Sequence, residues 1–290
     1  SSQFNKMHQI TGAEFKNVET TTVTVEPLEV TIADIAGNYD EYEGRFVKLT
    51  GVSIDADKNM TQGDDEYKAY DRFALGFGAI ANCDVTGVVA IYKTGEQLYI
   101  KDITYNLSVT DAGYATLFLD FAAAIPAEVE AYAVTEVNNG YVTLTQVAGV
   151  LPANTGVIVK ATENDYAFAY SKETPATVTG NLLKGTAAAK DITPDGTAYV
   201  LGKVEGEVGL YKAKLTDGKF LNNANKAYLV VANANPAAQY SFRFGEGTTG
   251  IENVESAEAV KTIFDLTGRR VEAITAPGIY IVNGKKVLVK

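Results

Sequence analysis

The residue types best suited to chemistry lie in one acidic stretch, Asp55-Ala-Asp-Lys-Asn-Met-Thr-Gln-Gly-Asp-Asp-Glu66. Counted as a calcium loop, it offers oxygens at positions 1, 3, 5, 7 and 12, from Asp55, Asp57, Asn59, Thr61 and Glu66. Calcium takes about 6–8 oxygen ligands in such a loop. Against that, Met60 stands where the turn needs glycine, and no helical pattern flanks the stretch. The competing reading is a solvated acidic hairpin loop between two strands. Close by, Tyr67 and Tyr70, with Tyr92 further on, offer ring faces that can stack on a sugar. The commoner role of a strand tyrosine is half-buried packing.

Other chemistry finds little material. The chain has 1 histidine, His8, near one end, so a Ser-His-Asp or Cys-His mechanism has no well-held imidazole to use. It has 1 cysteine, Cys83, which rules out an intramolecular disulfide, and ordinary zinc sites lack their ligands. A glycosidase needs only a pair of carboxylates about 5–10 Å apart. With 36 acidic residues such pairs are abundant, and nothing marks one out. No cofactor is called for, and the expectation is a chain that is not an enzyme.

Charge narrows the partners. The net charge is -11, and no basic run interrupts it. Such a chain repels phosphate backbones and anionic membrane surfaces, which argues against nucleic acid as a partner. No apolar run reaches the length of a membrane span, so no transmembrane segment is expected. Residues Ser1 to Ile10 lack an apolar signal core and the chain does not open on Met. It therefore reads as a mature or trimmed form, which leaves export open.

The elements that must position these residues are mostly strands. Val, Thr, Tyr, Ile and Phe alternate in short runs broken by Gly, Asn and Asp, the strand-and-turn signature. Residues 1–26 read as an extended segment, left over from a domain upstream. Residues 27–105 form a first unit, with strands at Arg45–Ile54, Tyr70–Leu75, Cys83–Tyr92 and Gln97–Ile103. One short helix is expected over Thr31–Tyr39, with Ile32, Ile35 and Tyr39 on one face. Residues 106–247 carry many short strands at sandwich-like spacing, from Val109–Leu119 to Ser241–Phe244. Residues 248–290 form a linker and a tail, in which Asn283-Gly284 between two alternating runs signals a hairpin.

Three stretches carry resemblances. "EGRFVKLTGV" with "CDVTGVVAIYKTGEQLYIKDI" resembles the small OB-like barrel modules of Bacteroidetes-type surface proteins, with Gly51 and Gly87 suited to the tight curl. Such barrels often bind oligonucleotides or sugars on one face. "TDAGYATLFLDF", "LPANTGVIVK" and "FLNNANKAYLVV" resemble a recurrent β-sandwich module of secreted proteins from the same group. Ile263-Phe-Asp-Leu-Thr-Gly-Arg-Arg-Val271, Gly278-Ile-Tyr-Ile-Val282 and the closing Lys290 resemble a short C-terminal sorting domain of the type IX route. That resemblance implies engagement of export machinery. In it, Asp265, Gly268 and Arg269 would have structural roles.

The expectation is an all-β chain: an OB-like barrel, an antiparallel β-sandwich and a small C-terminal β module. It would sit outside the cell or on the outer-membrane surface of a Gram-negative bacterium. The favoured role is a non-catalytic module for binding, adhesion or spacing, with a glycan or extracellular protein as partner. The alternative is a set of ancillary carbohydrate-binding domains of a larger secreted enzyme whose catalytic domain lies outside this chain.

Overall fold

Alternation from Phe46 onward closes a barrel. The computed structural model describes residues 2–4, 7–9, 12, 14, 24–93, 95–138, 140–232 and 237–245, and the strand backbones of 263–265, 270–271, 278–282 and 285–289. The chain forms two units, Ser1–Thr248 and Thr249–Lys290. In the first, β1 (Ser2–Phe4) and β2 (Met7–Gln9) pair as an antiparallel ribbon. Next come β3 (Leu28–Glu29), α1 (Ile32–Gly37) and α2 (Tyr39–Tyr42). The barrel strands are β4 (Phe46–Ile54), β5 (Asn59–Gln62), β6 (Asp65–Tyr70), β7 (Ile80–Tyr92) and β8 (Gly95–Val109).

Pairing runs β4-β5-β6-β8-β7 and back to β4, with β6 and β8 parallel, so the ring closes. This is the OB-like topology. Val47, Leu49, Val52 and Ile54 of β4 alternate into the interior. Both expected glycines sit at register shifts. Gly51, at φ +63°, lies where the β4–β7 register shifts between Leu49 and Val52. Gly87 lies at the β7–β8 shift, and a Cβ there would meet the Tyr99 carbonyl oxygen at 2.5 Å.

Helix α1 begins at a capping box: Thr31 and Asp34 bond each other's backbone N–H. Its Ile32 and Ile35 are buried in the barrel core, and Gln62 of β5 accepts the Ile32 N–H at 2.8 Å. The expected single helix to Tyr39 is broken at Asn38, whose φ of -141° leaves the helical region.

The next strands are β9 (Tyr114–Leu119), β10 (Ala123–Ala124), β11 (Glu130–Asn138), β12 (Tyr141–Val147), β13 (Val150–Leu151), β14 (Thr155–Lys160) and β15 (Asn164–Tyr170). The far half of β8 pairs with β15, which leads on to β10 and β13. This layer faces β9-β14-β11-β12 across Leu107, Val109, Leu117, Leu119, Val157 and Phe168. Those residues belong to the same hydrophobic core as Val47, Leu98 and Ile100 of the barrel. The boundary expected at 105/106 thus falls inside β8, because one long strand serves both sheets.

The last strands of this unit are β16 (Leu183–Thr186), β17 (Lys190–Ile192), β18 (Thr197–Val204), β19 (Glu207–Lys212), β20 (Phe220–Asn222), β21 (Lys226–Val231) and β22 (Gln239–Phe244). They extend the sheet from β12 in the order β22-β19-β18-β21-β16. The sheet then curls back on itself: Phe118 N–H donates to Asn225 O at 3.0 Å, and Asn225 Nδ2 donates to Phe118 O at 3.1 Å. A second core, with Tyr132, Ile158, Tyr199, Leu210 and Leu229, fills the curl. Hence β11 and β14 are apolar on both faces. Ala131 and Ala133 face the first core and Tyr132 and Val134 the second. The expected antiparallel sandwich holds except at β12–β22, which pair in parallel.

The second unit is a sheet of β23 (Ile263–Asp265), β24 (Arg270–Val271), β25 (Gly278–Val282) and β26 (Lys285–Val289) in the order β24-β23-β25-β26. Val282 pairs with Lys285, so the two strands flank the expected Asn-Gly hairpin. Asn283, Gly284, Gly268 and Arg269 lie outside the described residues, as do most of 1–26. Among the described residues no helix is long and apolar enough to cross a membrane.

Candidate functional site

The acidic stretch folds as a hairpin. Asn59 and Thr61 lie on β5 and Glu66 on β6, where Thr61 pairs with Glu66. Asp55 is already satisfied: its carboxylate accepts from Asn59 N–H and Asn59 Nδ2, each at 2.8 Å. Those bonds hold its pKa below the usual carboxylate value. Lys68 Nζ donates to Asp57 O at 2.5 Å and to Asn59 Oδ1 at 3.0 Å. An ammonium thus sits against the Asp57 carbonyl and the Asn59 side-chain oxygen. No group of three His, Cys, Asp or Glu that could hold a metal occurs among the described residues.

The three candidate tyrosines part company. Tyr67 points into the barrel and is 6% exposed, because the β6 alternation puts it beside Ala69 on the inner face. Tyr70 and Tyr92 face outward at 47% and 45% exposure. Between them stands Tyr99 of β8, which pairs in register with Tyr70. The Tyr70 and Tyr99 rings lie 5.5 Å apart, tilted. Burial raises the Tyr99 pKa; Arg72 opposes it, and Tyr70 and Tyr92 add to it, so all four groups cluster.

Register continues the row across the sheet. Tyr99 pairs with Val88 of β7, and Val88 with Phe46 of β4. Residues paired this way share a face. Lys101 Nζ stands 5.7 Å from the Phe46 ring centroid and Lys93 Nζ 5.3 Å from that of Tyr92. Exposed Phe73 and Arg72 follow β6 in a loop held by Asp71, which accepts the Leu75 and Gly76 N–H groups at 2.7 Å each. The outer face of the barrel thus carries an aromatic row fringed by cations and hydrogen-bonding groups. The sequence reading passes over Tyr99, although Leu98 and Ile100 on either side already assign it to the outer face.

The buried titratable groups elsewhere are structural. Cys83 is 1% exposed, and burial pushes its thiol up to about 12, far from a reactive thiolate. Nearby, Asp120 Oδ2 accepts Ala81 N–H at 2.9 Å, while Oδ1 is buried without a partner among the described residues. Burial raises the Asp120 pKa. A raised acid stabilises the fold below its unfolded pKa and loses that contribution as pH rises through the folded pKa. Asp120→Asn is therefore expected to raise the melting temperature at pH 8 by about 1–2 °C, discounted for partial exposure. The gain should vanish by pH 4 in a pH series of thermal melts.

His8 is placed by the β1–β2 ribbon against Glu43. Its Nδ1 lies 2.6 Å from Glu43 Oε2, and the His8 backbone N–H donates to Glu43 Oε1 at 3.3 Å. The pair lines a cavity of about 770 Å³ with Tyr39, Asp40, Ile91 and Glu96. No protein-family model matches the chain, and neither a curated protein nor a solved structure matches it.

Proposed function

We propose that the chain is a non-catalytic, exported binding module whose barrel presents Tyr70, Tyr92 and Tyr99 to a glycan. One observation carries this reading: the outer face of β6, β8 and β7 gathers two exposed tyrosines around Tyr99, in register with Val88 and Phe46. Ring faces pack the apolar C–H faces of a sugar, and Arg72, Gln97 and Lys101 border them with donors. A net charge of -11 weighs against a phosphate-bearing partner. Export is supported by the likeness of the tail to a C-terminal sorting domain. With it goes a place outside the cell or on the outer-membrane surface.

Tyr99→Ala is expected to weaken glycan binding about tenfold, or about 1.4 kcal/mol. Tyr99→Phe should keep the ring and bind within about twofold of the parent, about 0.4 kcal/mol. Affinity electrophoresis in soluble polysaccharides checks both. Equal retardation of the parent and Tyr99→Ala would falsify the assignment.

A further inference from the structure

The aromatic face of the barrel is locally cationic, although the chain as a whole carries a net charge of -11. Outward residues of β7 alternate as Val88, Ala90 and Tyr92, and those of β8 as Gln97 and Tyr99. Tyr99 pairs with Val88 and Gln97 with Ala90, so a low floor of Ala90 and Gln97 separates Tyr92 from the Tyr99–Tyr70 pair. Val88 and Tyr92 lie about 13 Å apart along the strand. Each end of that floor carries a cation. Lys93 Nζ stands 5.3 Å from the Tyr92 ring centroid. At the other end the Arg72 backbone N–H donates to the Tyr70 carbonyl at 3.0 Å, and Asp71 clamps the same turn.

The acids nearest in the fold are engaged or turned away. Asp102 accepts from Lys101 Nζ at 2.6 Å and from the Thr86 hydroxyl at 3.2 Å. Both oxygens of Asp71 hold backbone N–H groups, those of Leu75 and Gly76. Glu96 alternates inward with Leu98 and Ile100 and lines the cavity at the barrel end. Glu66 shares the outer side of β6 with Tyr70, but about 13 Å of strand separates them, against a screening length of about 8 Å at physiological salt. Arg72 and Lys93, by contrast, form no ion pair among the described residues. Burial raises the Tyr99 pKa, and the Arg72 charge reaches that hydroxyl and lowers it. The chain's net negative charge repels a polyanion that tracks much of the surface. A single carboxylate responds mainly to charges within the screening length, and here those are cations.

We propose that the glycan held by this face bears an isolated carboxylate, which Arg72 seats beside the Tyr70–Tyr99 pair while Tyr92 and Lys93 close the far end. The proposal rests on the reading of the face as a glycan site and narrows it to carboxylated sugars, uronic or sialic. The planar guanidinium presents paired N–H donors that match the two carboxylate oxygens. The sugar ring lies over Ala90, where the floor is lowest, with its C–H faces against the tyrosines. The Gln97 amide offers donors and an acceptor to its hydroxyls.

The test is an array of glycans bearing glucuronic, galacturonic or sialic acid, probed with the full chain. Each is spotted beside the same glycan after reduction of its carboxyl to the alcohol, with sulfated glycans alongside. The parent is expected to bind carboxylated members and to bind their reduced twins about fivefold more weakly. Which acids are bound tells the uronic source from the sialic one. Arg72→Gln should melt with the parent, because the side chain is exposed, and should lose the preference for the acid form. Equal binding to acid and reduced twins overturns the proposal and leaves the face a glycan site. Binding to neither overturns both. A preference unchanged in Arg72→Gln overturns the seat assigned to the carboxylate. Sulfated glycans bound more tightly than carboxylated ones overturn the choice of anion.

Discussion

Gly87→Ala is expected to open the barrel and remove its aromatic row in one step. A Cβ at this position would stand 2.5 Å from the Tyr99 carbonyl oxygen, 2.9 Å from Leu98 Cγ and 3.1 Å from the Tyr99 carbonyl carbon. Two of those neighbours are backbone, so no side-chain rotation relieves the clash. Strand β8 must move away from β7, and with it Tyr99, which both anchors the row and pairs with Tyr70. Overpacking of this kind costs about 1–3 kcal/mol, and a backbone clash belongs at the upper end. Urea denaturation should show a midpoint lowered accordingly, and glycan binding should fall with it. A variant as stable as the parent would mean that β7 and β8 do not approach as described.

Phe168→Ala tests how far the barrel and the sheets beyond it form one body. Phe168 is fully buried on β15, where it pairs with Tyr105 of β8. Removing a buried phenyl ring costs about 3–5 kcal/mol. Because β8 runs from the barrel into this layer and the core is continuous, the loss should lower one shared unfolding transition. Far-ultraviolet dichroism and tyrosine fluorescence should then report the same shifted midpoint. Two separated transitions, with only one displaced, would contradict the shared core.

Much of the fold was legible where one face of a strand meets water. Phe46–Ile54 and Gln97–Ile103 alternate cleanly, and Gly51 and Gly87 mark the places where the barrel bends. The strand Asn59–Gln62 was not, because its polar residues read as a loop and only pairing with β6 reveals it. The strand expected over Tyr70–Leu75 lies instead over Asp65–Tyr70. Asp71 caps a loop there, and the strand ends at Tyr70. The curl of the large sheet was also hidden. Glu130–Val134 and Gly156–Lys160 are apolar without alternation, which marks burial on both faces but not the partners that supply it. The parallel β12–β22 pairing joins residues about 100 positions apart, beyond any local pattern.

The candidate site was legible in part for the same reason. Residue type alone picks out Tyr67, Tyr70 and Tyr92, but only register separates buried Tyr67 from exposed Tyr70 and brings Tyr99 between the outer pair. The calcium count also passes over Lys68, which reaches the Asp57 carbonyl and Asn59 Oδ1 across the hairpin. His8 and Glu43 meet across 35 positions, so their pairing leaves no mark in either segment.

The central claim is that the outer aromatic face of the barrel holds a glycan. Its most direct test is a glycan array probed with the parent chain and with a Tyr70→Ala/Tyr99→Ala double variant whose melting temperature matches the parent. The account predicts selective binding by the parent to a defined set of glycans and loss of that set by the variant. A parent chain that binds no glycan, or a variant that keeps the same set, would contradict it.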